Sequence, residues 1–225
     1  MVAKKTDVAV GISLATLNIE TVMIPIVGDS ALICHRWAEK AIKEMLDKQM
    51  KHPNAGRVAK DPVADYEASL YRMPDGRYGF PSVAFKNAAV TACTSLSGVT
   101  KIAARQAFRV IGEMAPVKTV FNGSEMRTNL VAVEGSEPEM REDMVRIGMG
   151  VADIRYRGQF FPWKCLLAVS FNANLLSRDQ IVNLFNTAGF AVGVGEWRQE
   201  KNGEYGAFHV DTKAFDDQGV KKSKR

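Results

Sequence analysis

Long hydrophobic runs are missing from this 225-residue chain. No stretch approaches the roughly 20 apolar residues of a membrane span. The opening residues, MVAKKTDVAVGISLATL, carry charge but no apolar core with a cleavage site, so neither a signal peptide nor a membrane partner is expected. Cysteine is scarce. Cys34, Cys93 and Cys165 are scattered, with no Cys-x-x-Cys pair, and read as reduced core residues of a cytoplasmic protein. Histidine is as sparse: His35, His52 and His209 lie too far apart for metal-ligand spacing. No metal or cofactor is therefore expected. Neither sign of charge dominates. The net charge of +5 permits an anionic partner without demanding one.

Catalytic signatures are also absent. There is no Walker A loop, no Gly-x-Ser-x-Gly and no His-Glu-x-x-His. Gly193-Val194-Gly195 lacks the third glycine of a dinucleotide loop and does not open a helix. Cys34 and His35, as neighbours on a helix, would point apart and form no nucleophile–base pair. Glu137, Glu139, Glu142 and Asp143 read as a solvated acidic turn rather than a Mg²⁺ site. The expectation is a protein without enzymatic activity.

The chain does hold enough apolar residues, 46%, for a sizeable core. Its organisation suggests a flexible arm over 1–16, one domain over 17–215, and a disordered basic tail over 216–225. Leu17–Val27 alternates as a strand, with Pro25 at an edge or bulge. Ala31–Met50 keeps a helical stripe through Leu32, Trp37, Ala38, Ala41, Ile42, Met45 and Leu46. Pro74-Asp75-Gly76-Arg77 marks a hairpin between Leu70–Met73 and Tyr78–Phe80. Val83–Thr94 is a small-residue helix. Lys101–Val110 reads as a second helix that lines up Lys101, Arg105 and Arg109. Strands are expected at Val117–Phe121, Leu130–Glu134, Met144–Gly148, Val151–Gly158 and Trp163–Phe171. A helix capped by Ser177 and Gln180 is expected to end at Gly189, and a last strand spans Tyr205–Val210. This order suggests an α+β fold with a modified ferredoxin-like (RRM-like) core, a mainly antiparallel sheet, helices on one side, and insertions.

The chain is organised around Gly193–Phe208, GVGEWRQEKNGEYGAF. It is a long, glycine-hinged connection between the last helix and the last strand, and loops of that length are often functional. Basic and aromatic residues interleave in Arg155-Tyr156-Arg157, in Phe160-Phe161-Pro162-Trp163-Lys164 and in Trp197-Arg198. That is the composition single-stranded nucleic acid requires: cations for phosphates and flat rings for bases.

Phe80–Val90, FPSVAFKNAAV, resembles the proline-led helix of the repeat-associated (RAMP, Cas7-like) proteins of CRISPR effector backbones. Gly193–Phe208 is similar to that superfamily's C-terminal glycine-rich loop, and more so to small proteins encoded by phages and prophages. Pro81-Ser82 lacks the family's intervening glycine, and Asn87 stands where the family has another. The resemblance implies a RAMP-like domain and an oligomerising, sequence-independent binder of single-stranded RNA or DNA, phage-encoded, forming a homo-oligomer or helical filament. Carried over by position, Ser82, Lys86 and Asn87 face the nucleic-acid backbone, and Gly193, Gly195, Trp197 and Arg198 shape the groove. Arg105, Arg155 and Arg157 are candidate phosphate contacts. The late hinge and the Pro81-led helix are expected to converge on one positively charged trough. The rival readings are a structural or interaction protein, such as a phage assembly component or an inhibitor mimicking a CRISPR backbone subunit, and a nuclease with His35 or His209 as general base.

Overall fold

Alternating apolar residues build the first strand. In β1 (Ile19–Gly28), Val22, Ile24 and Ile26 are buried while Met23 and Pro25 between them are half-exposed. This is the period-2 pattern of a sheet covered on one face. The computed structural model describes residues 16–52, 59–95, 98–116, 125–148 and 150–216. A turn leads from β1 to β2 (Leu32–Ile33), and an extended stretch leads on to α1 (Glu39–Gln49). In α2 (Pro62–Ser69), Pro62 occupies the first turn and the Asp61 carboxylate accepts the N–H groups of Val63 and Ala64. β3 (Gly79–Pro81) runs directly into α3 (Ser82–Ala92), and α4 (Lys101–Ala107) into β4 (Phe108–Ile111). Short strands β5 (Met114–Pro116), β6 (Glu125–Arg127), β7 (Leu130–Ala132) and β8 (Glu134–Gly135) follow. Then come the long partners β9 (Glu139–Gly148) and β10 (Val151–Phe160), the strand β11 (Trp163–Asn172), α5 (Arg178–Ala191) and β12 (Phe208–Val210).

The central sheet has the order β12-β1-β11-β4, and each adjacent pair is antiparallel. Numbered by their place in a β1–α3–β4–β11–α5–β12 series, these strands lie 4-1-3-2. That is the ferredoxin-like βαββαβ arrangement, so the core is α+β with an antiparallel sheet. α3 and α5 pack against each other and bury Phe85, Ala88, Ile181, Leu184 and Phe185. Two insertions decorate the core. One, between β1 and α3, holds α1 and α2. The other, between β4 and β11, holds the β9–β10 pair, on which α2 packs. No helix of the described residues is long and apolar enough to cross a membrane.

An edge-to-face chain of rings fastens the layers together. Phe80, Phe85, Phe208 and Trp163 follow one another with centroids 5.9, 6.0 and 6.3 Å apart, each contact contributing about 0.5–1.5 kcal/mol beyond burial. The Trp163 indole N–H donates to the Ser30 carbonyl at 2.8 Å. Gly189 lies inside α5 rather than ending it, because the helix presses on β12 there. A Cβ at Gly189 would stand 1.9 Å from the Phe208 carbonyl oxygen.

Several expectations need correction. Leu32–Cys34 is extended and fully buried, with Leu32 and Ile33 paired to β10, so the helix starts only at Glu39. Arg109 stands on β4, not on a helix with Lys101 and Arg105, so the basic stripe does not form. Glu139, Glu142 and Asp143 belong to β9 and not to a turn. Pro25 sits within β1 beside the end of β12. Its carbonyl accepts the Asp211 N–H at 2.9 Å, and having no N–H to return, it stops the ladder there. The strand expected at Val117–Phe121, the arm over 1–15 and the tail over 217–225 lie outside the described residues.

Candidate functional site

The two segments singled out in the sequence do meet. The first turns of α3 and the loop after α5 form the walls of one cleft of about 380 Å³. Val83, Ala84, Asn87, Ala88 and Thr91 line it from α3, at the i, i+3, i+4 spacing of one helix face. Val192–Glu196, Arg198 and Glu200 line it from the loop, and His35 and Tyr71 close one end. α3 begins on Pro81 without a side-chain cap. The Ser82 N–H donates to the Asn129 carbonyl at 2.9 Å, while those of Val83 and Ala84, whose residues line the cleft, have no partner among the described residues.

The loop is not a hinge. Val192 and Val194 are buried. The Val194 N–H donates to the Gly206 carbonyl at 2.9 Å, that of Glu196 to the Ile33 carbonyl at 3.1 Å, and that of Gly206 to the Ala31 carbonyl at 2.9 Å. Gly193, Gly195 and Gly206 have φ of 71°, 84° and 67°, the left-handed region that glycine enters without steric cost. At Gly206 a Cβ would also lie 1.7 Å from the Val194 oxygen. Trp197 adopts φ 53° without being glycine, a conformation that costs a bulky residue on the order of 1–3 kcal/mol. Its carbonyl is held by the Tyr205 N–H at 3.1 Å; its side chain is 43% exposed and, unlike its neighbours Glu196 and Arg198, does not line the cleft but stands beside it on the loop.

The trough is not positively charged, which corrects the expectation. Arg198 donates to the Glu200 carboxylate from two nitrogens, at 2.7 and 3.0 Å, so its charge is balanced within the wall. The other ionisable side chains of the lining are Glu196 and His35, whose Nδ1 lies 3.0 Å from the Glu196 carboxylate. The His35 hydrogen bond holds the Glu196 carboxyl below its ordinary 4.5 against the opposing effect of burial, with the Arg157 and Arg155 charges adding to it. Near the cleft, Arg36 and Lys86 have no carboxylate within 4 Å among the described residues.

The remaining candidates divide. Asn87, Gly193, Gly195 and Arg198 line the cleft. Lys86 is half-buried beside Asn87, and Ser82 is buried in the first turn of α3. Arg155 lies 3.9 Å from Asp153. Arg157 is 3% exposed against Asp143 at 3.4 Å, with its Nε unpartnered among the described residues. It braces the β9–β10 pair behind the loop, where Arg141 also lies over the Tyr205 ring at 4.6 Å. Arg105 is exposed on α4 and does not line the cleft. Sequence reading missed Tyr71, Glu196 and Glu200. It also misplaced His35: on extended chain, Cys34 turns inward and His35 outward. Burial pushes the Cys34 thiol up to about 12, which leaves it protonated and unreactive.

No protein-family model and no curated protein matches the sequence. Among solved structures, the crystal structure of Cmr6 from Pyrococcus furiosus is similar over 87% of this chain and 100% of that one, with a TM-score of 0.38 and 9% identity. That likeness is too faint to carry an argument, and the fold assignment stands on the strand order.

Proposed function

We propose that this protein binds single-stranded nucleic acid, RNA or DNA, without sequence preference, and that the strand lies along the cleft between α3 and the loop 193–206. The observation behind this reading is the convergence of an uncapped helix start with a loop that carries an exposed tryptophan on a strained backbone. Backbone N–H groups suit phosphate oxygens, and an indole face stacks on any base. Several copies share one strand, and the protein binds it without cleaving it.

The balanced wall charge gives this reading a quantitative signature. Among the described residues beside the cleft, Lys86, Arg36 and the loop's Lys201 have no carboxylate within 4 Å, so log K against log salt should fall with a slope of about −1 to −2, at roughly 0.7 per phosphate contact on a single strand. Fluorescence anisotropy with labelled oligonucleotides tests it. Trp197→Ala should weaken binding roughly 5- to 150-fold, the value of about 1–3 kcal/mol of stacking. No binding at low salt, or binding unchanged by that substitution, removes the reading.

One observation favours a second reading. His35 opens on the cleft with one ring nitrogen held by a carboxylate, the arrangement that orients a general base. In that case RNA incubated with the protein is cut, and His35→Ala abolishes the cutting. Intact RNA after prolonged incubation removes it.

A further inference from the structure

Helix α1 stands apart from the described part of its own domain. Among the described elements, none packs along it. Its apolar residues nonetheless fall on one face: Ile42, Met45 and Leu46, continued by Met50 at its end and Trp37 before its start. Trp37 is 57% exposed, Ile42 50%, Leu46 51% and Met50 56%. An isolated helix of 11 residues is marginal in water. This one needs a cover for its apolar stripe.

The charges of α1 say what the cover is. Reflected about the peptide bond between Lys43 and Glu44, each charged position maps onto the opposite charge. Glu39 maps onto Lys48, Lys43 onto Glu44, and position 40, a lysine, onto Asp47. Three apolar positions map onto apolar ones, Ile42 onto Met45, Ala41 onto Leu46 and Trp37 onto Met50, while Ala38, before the helix starts, maps onto Gln49. The first half of the helix therefore carries one net positive charge and the second half one net negative charge. A second copy of the same helix laid antiparallel sets these halves against each other and opposes the helix dipoles. A parallel copy sets like charge beside like. A membrane surface is a poor match, because helices that lie on membranes carry mainly Lys and Arg on the polar face, and α1 mixes both signs.

We propose that α1 is a self-association helix, which packs antiparallel on α1 of a second copy about a two-fold axis near Lys43 and Glu44. Such a contact is isologous, so each residue i that meets j is matched by j meeting i. The apolar stripes supply the attraction, and the mirrored charges set the register. This gives a surface to the copy-to-copy association in the functional reading above, but it does not require nucleic acid. Its test is run without nucleic acid, so its failure is visible separately from a failure of strand binding.

The experiment is sedimentation equilibrium on the full chain. The expected mass is twice 24.8 kDa. Leu46→Glu should return the mass to that of one chain while the amides of β1 and β11 keep their protection from hydrogen exchange, since Leu46 is 51% exposed among the described residues and lies outside the core. Lys43→Glu and Glu44→Lys should each raise the dimer dissociation constant about 3- to 10-fold, and the double substitution should restore it to within about twofold. A single-chain mass at every concentration overturns the proposal, as does a dimer that survives Leu46→Glu. A double variant as weak as either single one overturns the antiparallel register. A single-chain mass with α1 protected from hydrogen exchange overturns it as well, and assigns the cover to the chain's own residues.

Discussion

The loop from Gly193 to Gly206 is irregular and polar, yet its backbone is bonded to α5, to the β1–β2 turn and to itself. Helix α1 is regular and amphipathic, yet no described element of the domain packs along it. Regularity and fixation are therefore separate properties. The loop is held by backbone hydrogen bonds and by two buried valines, Val192 and Val194. α1 satisfies its own hydrogen bonds but leaves its apolar stripe uncovered by the described residues. In the reading proposed above, the segment held firmly offers a surface to a ligand, and the uncovered one offers a surface to another chain.

Substitutions can break this contrast. The largest effect is expected at Gly206→Ala, where the new Cβ meets the Val194 oxygen and φ is positive. A loss of roughly 4 kcal/mol or more, or no folded protein, should appear in denaturant titrations. The counterpart on the helix, Ala41→Gly, costs about 1 kcal/mol of local helix but should move the global midpoint by less than about 0.5 kcal/mol. Equal effects at the two positions contradict the contrast.

Asp143→Ala comes next. It strips the buried Arg157 of its carboxylate, and removing one partner of a buried pair costs about 3 kcal/mol or more. Unchanged stability shows that the pair does not brace the loop.

The smallest effect is that of pH. The Glu196 carboxyl is held below 4.5 in the folded chain, so its contribution to stability is complete above 4.5 and fades as pH falls through the lowered value. Glu196 is partly exposed, so a fraction of a kcal/mol is expected. Between pH 5 and pH 3 the thermal midpoint of Glu196→Gln should fall less steeply than that of the parent. Identical slopes show that the His35 contact contributes nothing.

Much of the core was legible because local signals agreed with the tertiary context. The alternation of Trp163–Phe171 gave a central strand. Ser177 and Gln180 form the capping box they suggest, with mutual hydrogen bonds of 2.8 and 3.2 Å. The strand-and-helix order contained the ferredoxin-like core. What failed to read depended on distant partners. Leu32 and Ile33 fit a helical stripe equally well, and only the pairing with Phe160 and Gln159 makes them a strand. Arg198 looked like a free cation until the chain turned Glu200 back onto it. Arg157 looked like a surface residue until β9 brought Asp143 across. Charge read from sequence gives the sign of a residue and not its partner, which is why the cleft was foreseen and its lack of positive charge was not.

The central claim is that the strand runs through the cleft between α3 and the glycine loop. Photo-crosslinking of a single-stranded oligonucleotide carrying 5-bromouracil, followed by peptide mapping, tests it most directly. The account predicts crosslinks at Trp197 and Tyr71, lost on competition with unlabelled strand. Crosslinks confined to aromatic residues away from the cleft, such as the exposed Phe190 on α5, contradict it.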